Sequence, residues 1–197
     1  MKKIITIFFV ILLSACSLTM NNSPKAKVKE LLDKYKNQDS SVITNLDDVI
    51  DAEYEGEYKD RYKSLILNQY KNLEYKITDE VIDGDTAIVS VDVTVYNYGS
   101  GIDAANTYLE EHESEFYKKD LSDNNLITPN NDENAPQTSQ NTIDYNKFLD
   151  YKLDLLEEIT DRKTYSIDIT LTKENNEWVL DKLTDDAIKK IHGLYTE

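Results

Sequence analysis

The sequence predicts an α+β domain: amphipathic helices packed on one face of a curved, roughly four-stranded antiparallel sheet made of two hairpins. Three observations carry this. Residues 73–95, LEYKITDEVIDGDTAIVSVDVTV, form two apolar-alternating arms around an Asp-Gly turn. Residues 165–180 repeat the pattern around Asn175-Asn176. Five or six other segments place apolar residues at helical spacing, and such faces can be buried only against the sheet and one another.

In the first hairpin, Ala87, Val89, Val91, Val93 and Val95 alternate with Ile88, Ser90, Asp92 and Thr94, so one face is buried and the other wet. Two loops compete. A two-residue Asp83-Gly84 loop would set Val89 opposite Thr78 and Val91 opposite Lys76. A three-residue Asp83-Gly84-Asp85 loop sets Val81 opposite Ala87, Ile77 opposite Val91, Tyr75 opposite Val93 and Leu73 opposite Val95. Only the second brings the apolar faces together, and the pattern predicts it. Gly84 or Asp85 would supply the positive φ. One polar residue then stays on the buried face: Asp79, opposite Val89.

The helices follow in order. Ser23-Pro24 gives an N-cap and a proline at the first helical position, ahead of Val28, Leu31, Leu32 and Tyr35 on one face. Ser40 or Ser41 opens a second helix with Val42, Leu46, Val49 and Ile50. A third runs from about Glu55 to Asn72 and carries Tyr58, Tyr62, Leu65, Ile66 and Gln69. Tyr54, Tyr58 and Tyr62 recur every four residues; they read as rings at the rim of the core rather than as a ligand platform. Gly99-Ser100-Gly101 breaks the strand, and a helix over about Ile102–Phe116 places His112 on its apolar face. Lys118–Thr142 is rich in Asn, Asp, Ser, Thr and Gln and reads as a flexible insert. Asp123, Asn125 and Asp132 within it lack the glycine and terminal Glu of a calcium loop. Asp144 caps a helix to about Asp161, with Phe148, Leu149, Leu156 and Ile159 inward.

In the second hairpin Tyr165, Ile167, Ile169 and Leu171 face inward. An Asn175-Asn176 type I′ turn pairs Leu171 with Leu180 and Lys173 with Trp178. Thr184–Tyr195 reads as a last helix, with His192 solvated near its end.

The chain has 197 residues, enough for one domain with a sizeable core. Its net charge of −16 is the wrong sign for nucleic acid and disfavours anionic lipid. The single cysteine, Cys16, allows no intrachain disulfide and no cysteine-based zinc cluster. No nucleophile elbow, metal-spaced histidines, P-loop or dinucleotide fingerprint is present, so the sequence indicates no cofactor.

Residues 1–15 read as a signal peptide. Lys2-Lys3 precede an apolar run, Ile4–Leu13, shorter than the about 20 residues a bilayer-spanning helix needs. Leu13-Ser14-Ala15-Cys16 resembles the lipobox of bacterial lipoproteins, L-[AS]-[GA]-C. The resemblance implies diacylglyceryl attachment to the Cys16 sulfur and cleavage before Cys16, with acylation of the new amine in some bacteria. Residues 16–23 would then be a lipidated tether and 24–197 a single extracytoplasmic domain, held at the cell membrane by Cys16. Loss of residues 1–15 removes two lysines and no acid, leaving a net charge of −18.

The order helices, hairpin, helix, hairpin, with a late EWVLDKL strand, resembles extracytoplasmic lipoproteins of the nuclear transport factor 2-like or cystatin-like type. The helix before the second hairpin departs from the simple pattern. That resemblance implies a pocket between sheet and helices, which would hold Tyr75, Asp79, Tyr165, Trp178 and His112. Two functions are consistent with it. One is a non-catalytic module binding a small ligand, a peptide or an envelope protein. The other is a small-pocket isomerase or lyase with a desolvated Asp79 as general base, a role an acid fills in the related ketosteroid isomerases. An enclosed apolar cavity would favour a pocket function, and a filled core a protein-binding or spacer role.

Overall fold

A computed structural model describes residues 22–118 and 142–196. The leader, Cys16 and the body of the predicted insert lie outside the described residues. The element order is α1 (Pro24–Lys36), α2 (Ser40–Glu53), α3 (Gly56–Lys71), β1 (Glu74–Asp83), β2 (Thr86–Tyr96), α4 (Tyr98–Glu111), a 3₁₀ turn (Glu113–Phe116), α5 (Tyr145–Glu158), β3 (Arg162–Glu174), β4 (Glu177–Leu180) and α6 (Asp185–His192). The strands form one open antiparallel sheet in the order β1-β2-β3-β4. The chain is therefore α+β, with helices against one sheet face.

The first hairpin takes neither expected loop: a two-residue Gly84-Asp85 turn replaces the expected three-residue Asp83-Gly84-Asp85 loop, and the side-chain pattern holds only as far as a bulge. Tyr75 pairs with Val93 and Ile77 with Val91, as the pattern requires. The register then shifts between Ile77 and Asp79. Beyond that bulge Asp79 lies opposite Ser90, Val81 opposite Ile88 and Asp83 opposite Thr86, so the loop is Gly84-Asp85. Gly84 has φ +59° at the first central position, where a type II′ turn takes glycine. One extra residue in β1 exchanges the faces of everything after it. Asp79 is thus exposed rather than buried opposite Val89, and Val81 turns to the wet face. Glu80 turns toward the helices, where its Oε1 accepts the Lys25 backbone N–H at 3.0 Å.

The second hairpin is as expected. Asn175 and Asn176 both have positive φ, +48° and +69°, as a type I′ turn requires. Leu171 faces Leu180 and Lys173 faces Trp178. The long connection from β2 returns so that β3 pairs with β2 from Thr86↔Thr172 to Tyr96↔Arg162.

Helix starts follow the expected chemistry. Ser23 caps Ala26 N–H, Asp144 caps Asn146 and Lys147, and Thr184 caps Ala187, each satisfying N–H groups that a helix leaves unpaired. α4 differs from its expected range. Gly99-Ser100-Gly101 forms its first turn, because that turn packs tightly. Gly99 N–H donates to Gly193 O at 2.8 Å, and a Cβ on Gly99 would stand 1.9 Å from Tyr195 O. The helix also stops early, at Glu111, and the 3₁₀ turn delivers Phe116 to an aromatic cluster with Phe148 and Tyr151. Lys118 N–H and Thr142 O, at the two edges of the predicted insert, are 2.9 Å apart.

The core lies between sheet and helices. β2 contributes Ala87, Val89, Val91, Val93 and Val95, and β3 contributes Tyr165, Ile167, Ile169 and Leu171. Val28, Leu32 and Tyr35 of α1, Leu65, Ile66 and Tyr70 of α3, and Ile191 of α6 close over them. The other sheet face carries Ser, Thr and Asp, with Ser90 donating to Asp168 and Ser166 to Asp92, each at 2.6 Å.

Candidate functional site

The residues that the sequence gathers into one pocket are placed apart. Tyr75 and Tyr165 flank Val93 from the two neighbouring strands, so they share one row of the helix-facing surface. Tyr75 donates its hydroxyl to Asp33 of α1. Burial would raise the Asp33 carboxyl, but hydrogen bonds from Lys29 and Tyr75 hold it below its ordinary range. Tyr165 packs edge-on against Tyr195, 5.6 Å between centroids. Trp178 sits opposite Lys173, eight residues along β3 from Tyr165, or about 26 Å at strand spacing. His112 occupies the C-cap of α4, part-buried, with its ring stacked on Tyr108 at 4.1 Å in the α4–α5 aromatic cluster. Asp79 is on the surface, accepting its neighbour Glu80's N–H. Between these positions the helix-facing surface is filled by Val89, Val91, Val93 and Ile169, all at most 1% exposed. Asp79 is thus exposed where a desolvated base was expected, and the five residues do not converge on one pocket.

Two polar constellations stand in the helical layer instead. The first joins α3 to α5. Arg61 makes a two-pronged pair with Glu157, at 2.8 and 3.0 Å, and also bonds Asp154 at 2.7 Å and Asp150 at 3.4 Å. Tyr58 donates to Asp150 at 3.2 Å. A shallow open cleft of about 230 Å³ runs beside this network, lined by Arg61, Leu65, Asn68, Tyr98 and Ile159. Its guanidinium is fully engaged by carboxylates, so the cleft offers no uncompensated positive charge to an anion. Tyr54 lies outside α3 and stacks on Tyr62 at 4.6 Å, which places these rings as packing between α2 and α3.

The second constellation lies where α3, α6 and the end of β2 meet. Gln69 is completely buried. Its Nε2 donates to Ile191 O at 3.2 Å, and its Oε1 accepts Tyr96 N–H at 2.8 Å. Beside it the Tyr70 hydroxyl and His192 Nε2 are 2.9 Å apart. His192, expected in solvent, is instead packed against Tyr35 and Tyr70. Burial lowers its pKa to about 4, and burial likewise pushes Tyr35 up to about 12. The imidazole is therefore neutral near pH 7. Helical spacing had put Gln69 on an apolar face. No sequence signal marks His192, because its partners come from distant helices.

Among the described residues no group of three His, Cys, Asp or Glu is arranged to hold a metal, and no helix is long and apolar enough to cross a membrane. These features define a class by architecture: an open four-stranded antiparallel sheet with one helix-covered face and a closed core. No family model matches the chain, and no curated protein and no solved structure matches it.

Proposed function

We propose that the chain is a lipid-anchored, extracytoplasmic module of a bacterial envelope that acts through its surface, by binding an envelope partner or peptide, rather than through a buried catalytic pocket. One observation carries the reading. The only cysteine follows Leu13-Ser14-Ala15, behind Lys2-Lys3 and the Ile4–Leu13 apolar run, and stands seven residues ahead of Ser23, the N-cap of α1. The packed helix-facing surface supports a role for the exterior. The helices-then-hairpin order and the late Trp178 strand support kinship in architecture with nuclear transport factor 2-like or cystatin-like domains. Several acyl chains would hold such a domain firmly, since each buried methylene contributes about 0.8 kcal/mol.

The test is metabolic labelling with radioactive palmitate in the native host. The wild-type chain is expected to take up label and to be processed, whereas Cys16→Ala is expected to accumulate unlabelled at precursor size. Label retained by Cys16→Ala would overturn the assignment.

A further inference from the structure

The chain enters the domain between the tips of the two hairpins. The Asn22 side chain donates to Asn176 O and accepts the Trp178 backbone N–H, each at 3.0 Å, which fixes the chain on the β3–β4 turn. Three residues on, Lys25 N–H is held by Glu80 beside the β1–β2 turn. Cys16 is six residues upstream of Asn22, and a chain of that length spans at most about 20–22 Å to the Asn22 anchor on the β3–β4 turn.

The same end of the molecule exposes apolar side chains. Among the described residues the large exposed hydrophobics are Val81 (57%), Ile82 (53%), Ile88 (43%), Val179 (39%) and Tyr145, and all but Tyr145 lie here. Val81 sits directly opposite Ile88, and Ile88 opposite Thr170. Thr172, in the next outward position on β3, sits opposite Val179. These side chains and threonine methyls line the outer sheet face. Ile82, opposite Ala87, projects on the inner side, yet it stays half exposed. α4 and α5 hang from the opposite end of the sheet, where Tyr96 pairs with Arg162.

We infer that the hairpin end is a lipid-contact surface: Val81, Ile82, Ile88 and Val179 rest in the headgroup layer of an uncharged membrane and orient the domain with its α4–α5 end outward. The inference rests on the lipid-anchor reading and deepens it. The occupant follows from the tether, which keeps this end within reach of the bilayer whatever else the domain meets. The exposed acids of the turns, Asp83, Asp85, Glu174 and Glu177, restrict the contact to the headgroup layer and select against anionic lipid.

The test uses the full acylated protein in phosphatidylcholine vesicles. Acylation consumes the Cys16 thiol, so Ile88→Cys or Val179→Cys supplies a unique labelling site at an exposed position, with Asn106→Cys on α4 as the distant reference. A nitrobenzoxadiazole label at 88 or 179 is expected to be quenched by about half with doxyl-labelled lipid, as befits a face seated some 5–10 Å into the interface. The label at 106 is expected to stay unquenched, and anionic lipid to reduce the effect at 88 and 179. Vesicle-bound protein with 88 and 179 as unquenched as 106 would overturn the inference while leaving the anchor intact. So would transfer between labels on neighbouring copies without lipid quenching, which would assign the patch to a second copy of the chain. Protein that fails to float with vesicles would defeat the anchor reading itself, and the inference with it.

Discussion

At the end of the sheet where β2 stops at Tyr96 and β3 begins at Arg162, polar groups are drawn inward around the fully buried Gln69. Gln69 joins the Tyr96 N–H to Ile191 O, Gly99 N–H reaches Gly193 O, and His192 meets Tyr70. At the hairpin end the counterpart bonds, from Asn22 to Asn176 and from Lys25 to Glu80, are exposed, and apolar side chains face outward. Both ends are hydrogen-bonded, but only the first holds a fully buried bond, from Gln69 to Ile191 O, while at the second the most sheltered bond, Trp178 N–H to Asn22, is part-buried. A broken bond leaves buried groups unsatisfied at the first end and merely hydrated groups at the second. The hairpin end should therefore open locally at low cost, as suits a surface that meets something else, while the Tyr96–Arg162 end should open only with the whole domain.

The largest expected effect tests that contrast directly. Gln69→Leu preserves volume but strands the Tyr96 N–H and Ile191 C=O, two groups that each cost about 1–3 kcal/mol when buried and unpaired. A loss of about 4 kcal/mol in urea unfolding is expected, close to abolishing a domain of ordinary stability. Asn22→Ala, which removes the same number of bonds at the exposed end, is expected to cost less than about 1 kcal/mol. Equal losses would erase the distinction between the two ends.

A smaller effect comes from His192. Its pKa is about 4 in the folded chain, lowered by burial, against about 6.5 when unfolded. Between those values the unfolded chain holds the extra proton. The contribution of a neutral His192 is complete above about pH 6.5 and declines as pH falls toward 4. It reaches about 3 kcal/mol at most, taking 1.36 kcal/mol per unit. His192→Gln removes the titration, so the stability gap between wild type and variant should shrink from pH 7 to pH 4. A constant gap would show that the ring is not buried as a neutral group.

The two hairpins show how far the sequence could be read. At β3–β4 the turn residues and the side-chain alternation agree, and every pair from Leu171↔Leu180 to Lys173↔Trp178 was legible. At β1–β2 they disagree, and alternation recovered only the half before the bulge. A period-two pattern assumes an unbroken strand, so it cannot register one extra residue that serves a contact made elsewhere, here Glu80 against α1. The same limit applies to the candidate site. Alternation correctly placed Tyr75, Tyr165 and Trp178 on the helix-facing side, but it carries no information on which helix covers each. The pocket disappeared once Val28, Leu32 and Tyr35 were seated over the sheet. Helical spacing flagged Gln69 as inward, but its partners, Tyr96 and Ile191, lie 27 and 122 residues away.

A further small effect concerns Glu80, which the bulge turns toward α1. Glu80 accepts Lys25 N–H at 3.0 Å and pairs with its ammonium at 3.7 Å, with 19% of its side chain exposed. An N–H in the first turn of a helix has no partner within that helix, and a carboxylate there also meets the positive end of the helix dipole. Glu80→Ala removes acceptor and charge together and is expected to cost about 1 kcal/mol. Glu80→Gln keeps an acceptor and should lose only a few tenths, about the worth of the dipole and ion-pair contribution alone. If Glu80→Ala proves neutral while the register shift after Ile77 persists by backbone NMR, the bulge does not depend on capping α1. Its cause would then lie in the Gly84-Asp85 turn, which by itself sets the register of the hairpin tip.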